Sequence, residues 1–179
     1  MGINIVEQTF QSHQLMQLAN EAALFLGATP KHKLPLSNQF NGSGVYALYY
    51  NGNDPKYLAT RNKPIYIGKA VPTGSRTGSF VAREEPKLKT RLNEHTRSIQ
   101  QASNLKINDF ECQFMLIPLE MSAIISVVES ILINKYQPIW NTKIDGFGNH
   151  DPGKGRYEQA KSEWDKAHPG RAWAEKLRK

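Results

Sequence analysis

Residues 44–50 read Gly-Val-Tyr-Ala-Leu-Tyr-Tyr, and residues 64–70 read Pro-Ile-Tyr-Ile-Gly-Lys-Ala. Both runs are dominated by aromatic and β-branched side chains, which fit a pleated, half-buried surface, so both are read as strands. Between them Asn51-Gly52-Asn53-Asp54-Pro55 supplies turn chemistry. Pro64 cannot donate to a ladder, which marks the start of the second strand. Two consecutive strands in the first half of the chain set the fold, and the flanking segments are read against them.

After the second strand, residues 71–86 form a loop of Gly, Ser, Thr and Arg with prolines at Pro72 and Pro86. A helix is predicted over Lys87–Gln101, with Leu88, Leu92, His95 and Ile99 on one face and Arg91 beside His95 at i, i+4. A third strand runs from Phe110 to Leu116 and stops before Pro118. Ser122 is read as the N-cap of a helix reaching Tyr136, which Pro138 ends. Upstream, residues 5–27 form an amphipathic helix whose stripe is Val6, Phe10, Leu15, Leu18, Ala22, Leu24 and Phe25. An extended, Pro- and Lys-rich connector follows it, from Thr29 to Pro35. From Thr142 the chain carries a Gly-rich loop, residues 146–153, and then one or two short polar helices. The expected fold is α+β: a small sheet of three antiparallel strands flanked by helices. It makes a single domain with an N-terminal arm (1–40), a core (44–141) and a C-terminal extension (142–179).

Composition excludes several classes. Hydrophobic residues make up 39% and charged residues 22% of the chain, as in ordinary globular domains. No apolar run reaches the roughly 18 residues of a membrane span, because Pro118, Glu120 and Glu129 break the richest stretch. The N-terminus lacks the basic-then-apolar pattern of a secretory signal. The single cysteine, Cys112, cannot form an internal disulfide, so a reducing, cytoplasmic setting is expected. One cysteine and five scattered histidines show no zinc-ligand spacing. Gly153-Lys154-Gly155 lacks the remainder of a nucleotide-binding loop. The net charge of +7 is localised, with ten basic and four acidic residues between positions 41 and 99. A basic surface of this kind suits a polyanion, nucleic acid first.

Three features carry chemistry. Glu129 lies within Ile124-Ile125-Ser126-Val127-Val128-Glu129-Ser130-Ile131-Leu132-Ile133, with Ile125, Val128, Leu132 and Ile133 as its helical neighbours. A carboxylate on or beside an apolar face costs several kcal/mol unless a cation or metal accompanies it. Arg91 and His95 share a helix face, where one can brace a phosphate and the other can hydrogen-bond or shuttle a proton. Tyr46 and Tyr66 sit in the paired strands. Taken singly, each has a structural alternative: a core ion pair, a solvated arginine, cross-strand packing.

Together they form a pattern. Gly44-Val45-Tyr46 followed by Tyr66-Ile67-Gly68 resembles the paired signature of the GIY-YIG nuclease superfamily, with Val in place of the usual Ile. The order of elements that follows also matches: a helix with Arg91, a strand, a helix with Glu129, then Asn141. His95 four residues after Arg91, Glu129 thirty-four after His95 and Asn141 twelve after Glu129 are similar to the type II restriction endonuclease branch. So are Gly146-Phe147-Gly148-Asn149-His150-Asp151-Pro152-Gly153 and His168-Pro169-Gly170-Arg171. Within that branch the chain is most similar to enzymes that cut the palindrome CCGCGG.

The resemblance implies a DNA endonuclease with catalytic residues Tyr46, Tyr66, Lys69, Arg91, His95, Glu129 and Asn141. Glu129 would hold one Mg²⁺, with Mn²⁺ as an acceptable substitute, since Mg²⁺ binds through few protein carboxylates and keeps its waters. Tyr46 would be the general base or orient the attacking water, with Lys69, Arg91 or His95 available to lower its pKa; His95 is the alternative proton relay. Arg91 would brace the scissile phosphate, and Asn141 would orient Glu129 or touch phosphate. Arg76, Arg83, Lys87, Lys89, Lys154 and Arg156, together with Lys143 and Arg171, would contact DNA. A palindrome cut in both strands implies a homodimer, for which the N-terminal helix is one candidate interface; the other possibility is that it packs on its own domain. A host methyltransferase partner follows from the same resemblance. The competing functions are a repair or homing nuclease and a non-catalytic nucleic-acid-binding module, the second of which leaves Glu129 without a task.

Overall fold

The computed structural model describes residues 13–74, 85–153 and 155–178. The first part of the predicted N-terminal helix, residues 5–12, lies outside them. Four antiparallel strands form one sheet: β1 (His32–Lys33), β2 (Ser43–Tyr50), β3 (Tyr66–Ala70) and β4 (Phe110–Ile117), in the order β1-β4-β2-β3. The three strands read from the sequence are joined by a fourth from the extended connector. His32 pairs with Cys112 and Lys33 with Glu111, covering an edge of β4 that would otherwise present unpaired backbone groups.

β2 is the central strand, and all eight of its residues are buried. Its two-residue alternation builds two cores. Tyr46, Leu48 and Tyr50 face Leu88, Leu92 and Ile99 of α2 (Lys87–Gln101), with Trp140, Phe147 and Trp164 from further along the chain. Val45, Ala47 and Tyr49 face the opposite layer, made by α1 (His13–Ala28) and α3 (Ile125–Tyr136). The sheet is therefore sandwiched between helices, the α+β arrangement expected.

Helix α1 packs on its own domain, through a face rotated from the predicted stripe. Ala22, Ala23 and Leu26 are buried, whereas Leu24 and Phe25 stay 74% and 60% exposed. The small Ala22 and Ala23 let the helix backbone approach the sheet, and Leu26 follows them at i+4 and i+3. Helix α3 also starts differently. A 3-10 turn, Leu119–Ile124, leads from β4 directly into it, and Ile124 already has right-handed helical angles. Ser122 falls inside that turn and caps nothing. At the other end Gln137 adopts a left-handed conformation, φ 46°, before Pro138, as a helix stop requires.

The C-terminal extension is part of the α2-side core. It follows α4 (Ile139–Thr142) and contains α5 (Glu163–Ala167). Arg171, expected on a DNA surface, is fully buried. Its guanidinium binds both carboxylate oxygens of Asp165 at 2.7 Å and donates to the carbonyls of Phe147 and Gly146 at 3.0 Å. It lies between the rings of Trp164 and Trp173. A buried guanidinium needs this full set of acceptors, and the folded tail supplies it. His168 is held likewise, by the Tyr57 hydroxyl at 2.5 Å and the Asn104 side chain at 2.9 Å. Among the described residues no helix is long and apolar enough to cross a membrane.

Candidate active site

Tyr46, Tyr66, Lys69, Arg91 and Glu129 line one cleft of about 450 Å³, with Lys87, Thr90, Glu94 and His150 completing its walls. These residues come from β2, β3, α2, α3 and the Gly-rich loop of the extension. The sheet brings them together because β3 is its edge strand. Tyr66 points to the α2 face with Tyr46, while Ile67, one residue on, packs with α3. The cleft wraps around that edge, so α3 can contribute Glu129 to a site that otherwise belongs to α2.

Gly68 keeps the cleft open. It pairs with Tyr46 across the ladder, and a Cβ there would sit 2.4 Å from the Tyr46 hydroxyl and 2.9 Å from the Tyr66 ring. Gly44 is needed for a different reason: its Cβ would lie 2.0 Å from the Met115 carbonyl of the neighbouring strand. Gly68→Ala is therefore expected to push the Tyr46 hydroxyl aside by an ångström or so and slow cleavage about 10²-fold. DNA affinity should stay near wild type, which a gel-shift titration beside a single-turnover assay would check.

Tyr46 is completely buried, and its hydroxyl lies 2.6 Å from Nε2 of His95. Burial, reinforced by the Tyr66 phenol, holds the Tyr46 hydroxyl well above its ordinary value of 10.0, although Arg91 acts in the opposite direction. This corrects the expectation that neighbouring cations lower it, because desolvation of the phenolate outweighs them. His95 is buried as well, and burial followed by the Arg91 charge holds its imidazole well below 6.5. With the imidazole neutral and the phenol protonated, one hydrogen bond joins them, and the histidine tautomer sets its direction. The ring is fixed by stacking on Phe147 at 4.5 Å and by the edge of Tyr66 at 5.2 Å.

Glu129 lies on the rim of the α3 apolar face, its side chain 16% exposed, and accepts a hydrogen bond from Lys69 Nζ at 2.6 Å. Arg91 donates to Glu94 at 2.7 Å, to the Gly148 carbonyl at 2.6 Å and to His150 Nε2 at 2.7 Å. Asn141 does not hold Glu129; its side chain bonds the β3 backbone. Its side-chain oxygen accepts from the Ile67 N–H and its amide donates to the Ile67 carbonyl, both at 2.8 Å. Those two bonds, with the Trp140 N–H on the Ile65 carbonyl at 3.0 Å, satisfy the outer edge of β3. Asn141 thus acts as a substitute strand that fixes the β3 backbone between Tyr66 and Lys69.

The expected DNA-contacting residues divide. Lys87 lines the cleft and pairs with Glu85 at 2.9 Å, and Arg156 and Lys143 are exposed. Lys89 is buried, its ammonium bound to the Leu36 carbonyl, and has no surface to offer. Its position in the first turn of α2 faces the loop preceding β2. Arg76, Arg83 and Lys154 lie outside the described residues. Glu94 escaped the sequence reading, while Phe147, Gly148 and His150 were read only as part of the Gly-rich string, with no role of their own. Glu94 stands three residues after Arg91, a spacing that signals a helical ion pair; the others depend on where the extension folds back.

The family model of the Eco29kI GIY-YIG domain matches residues 38–179. The chain belongs to this GIY-YIG restriction endonuclease family. It is a nuclease whose substrate is DNA. No curated protein matches the chain. The family's match runs through the extension to the last residue, in accord with the packing of Phe147, Trp164 and Arg171 into the same core as Tyr46.

Proposed function

We propose that this family member is a type II restriction endonuclease, cutting both strands of a short GC-rich palindrome resembling CCGCGG. The observation that carries the reading is the cleft that gathers Tyr46, Tyr66, Lys69, Arg91 and Glu129. In this proposal Glu129 holds a single Mg²⁺, for which Mn²⁺ can substitute. Among the described residues no group of three or more carboxylate, imidazole or thiol side chains could hold a metal by itself. A lone carboxylate still fits Mg²⁺, which retains waters and takes phosphate oxygens. Glu129 already carries a cationic partner in Lys69, showing that its position suits positive charge. When bound, Mg²⁺ would supply Lewis-acid stabilisation of charge developing at the scissile phosphate.

The chain's own residues do the rest. Tyr46 accepts a proton from the attacking water as it passes its hydroxyl proton to His95 Nε2, which places the charge on the imidazole instead of the phenol. This arrangement lets Tyr46 and His95 share the role of base. Arg91, its guanidinium set by Glu94 and the Gly148 carbonyl, braces the phosphate. Tyr66 closes the wall between His95 and the cleft. Asn141 positions β3, while Lys87, Lys143 and Arg156 contact the DNA backbone. A homodimer supplies the second active site, and a cognate methyltransferase in the same cytoplasm protects host DNA.

The test is cleavage of plasmid DNA by the purified protein with and without Mg²⁺. Discrete, metal-dependent fragments are expected, and mapping their ends gives the site. Salt-sensitive DNA binding without cutting under either condition would replace the proposal with a non-catalytic binding module.

A further inference from the structure

His150 belongs to none of the roles above, yet it forms part of two adjoining clefts. One is the candidate active site. The other, about 330 Å³, lies on the far side of Arg91 and is lined by Arg97, Ser98, Gln101, Asn149 and Trp173. Arg91, Glu94 and His150 form the wall between them.

The contacts determine the chemistry of that wall. A guanidinium has only donors, so Arg91 Nη1 donates to the His150 ring, whose Nε2 is 2.7 Å away. His150 Nδ1 is 3.3 Å from the same Nη1. The nearest carboxylate oxygen of Glu94 is 3.8 Å from His150 Nδ1, beyond hydrogen-bond length. Nη1 is thus shared by Glu94 and His150, and Nη2 binds the Gly148 carbonyl. Glu94 offsets the arginine charge, whereas the imidazole and the Gly148 carbonyl orient it through hydrogen bonds. When a phosphate enters and competes with Glu94, His150 and Gly148 are the partners that need not leave.

We propose that His150 is a positioning residue that acts through Arg91, holding the guanidinium against the scissile phosphate. The proposal rests on the nuclease reading of the cleft. The loop Gly146-Phe147-Gly148-Asn149-His150 thus sets Arg91 from two points, the Gly148 carbonyl and the His150 ring. The fold anchors that loop through Arg171, which holds the Gly146 and Phe147 carbonyls.

The experiment uses the full chain and plasmid DNA, with cognate-DNA affinity measured separately in Ca²⁺. His150→Ala is expected to slow single-turnover cleavage about tenfold to a hundredfold, the size of one hydrogen bond to a charged group. DNA affinity should change by less than about threefold, and His150→Gln, which keeps an acceptor, should restore most of the rate. Because His150 is 65% exposed at its side chain, the thermal midpoint should not move. In an Arg91→Lys background the same alanine change should have little further effect, because the two residues form one unit. Equal cleavage by wild type and His150→Ala, or full additivity with Arg91→Lys, overturns the positioning role alone. Absence of cleavage by the wild type overturns the nuclease reading on which it rests.

Discussion

Replacing Glu129 with glutamine is expected to reduce Mg²⁺-dependent cleavage by about 10³-fold or more while leaving the protein folded. Glutamine keeps the shape and hydrogen-bonding capacity but removes the charge, so the cleft loses its only proposed metal ligand. The structural cost is small because the side chain is at the rim of α3. Its partner Lys69 is 35% exposed, and an ion pair at such a surface contributes about 1 kcal/mol or less. Lys69 can turn to water when the carboxylate is neutralised. Single-turnover cleavage and a thermal melt, run on the same preparation, separate the two effects. A variant that melts like wild type and still cuts within tenfold of it would end the metal-ligand assignment.

Arg171→Met is expected to show the largest loss of stability, about 3–5 kcal/mol. The reason is the state in which it leaves Asp165, which is 2% exposed and bound to Arg171 through both oxygens. Removing the guanidinium strands a buried carboxylate and releases the Gly146 and Phe147 carbonyls. For a domain of this size each kcal/mol corresponds to about 2–4 °C, so the melting midpoint should fall by roughly 6–20 °C. Removing both charges, as Asp165→Leu with Arg171→Met, should recover part of the loss, because a buried pair adds less than its breaking costs. Cleavage should fall too, since Phe147 stacks on His95 and Gly148 holds Arg91. A midpoint within 2 °C of wild type would mean that the tail is not integral to the core. That threshold is about 1 kcal/mol.

Much of the site was legible because its signals are local. Tyr46 and Tyr66 could be placed on strands from alternation and composition, and Glu129 from its incongruity among isoleucines and valines. Arg91 and His95 could be assigned one helix face from their spacing. That spacing did not reveal that His95 would be entirely buried while Arg91 stayed at the rim. Nor did it show that burial would raise the Tyr46 pKa against the pull of Arg91. Both outcomes depend on which loop covers α2, and that loop comes from residues 146–150, more than fifty positions away.

The cationic residues illustrate the same limit. Lys87, Lys89 and Arg171 look alike as sequence, each a basic residue in a polar stretch. One lines the cleft, one donates to the Leu36 carbonyl inside the molecule, and one holds Asp165 in the core. Asn141 was recognised as part of the motif but not for its work, because the backbone edge of β3 is a partner visible only after the sheet has formed.

By itself, then, the sequence determined three of the four strands, the helices α1, α2 and α3, their order, and a set of candidate catalytic residues of which five line one cleft. Strand alternation, helical period, proline stops and charge next to apolar runs are all short-range properties of the chain. Tertiary structure decided how the sheet edge lets α3 reach a cleft on the α2 side, which basic groups remain exposed, and how Arg91 is aimed. Those depend on desolvation and on hydrogen-bond partners far apart in sequence, whose energies exist only once the chain has folded.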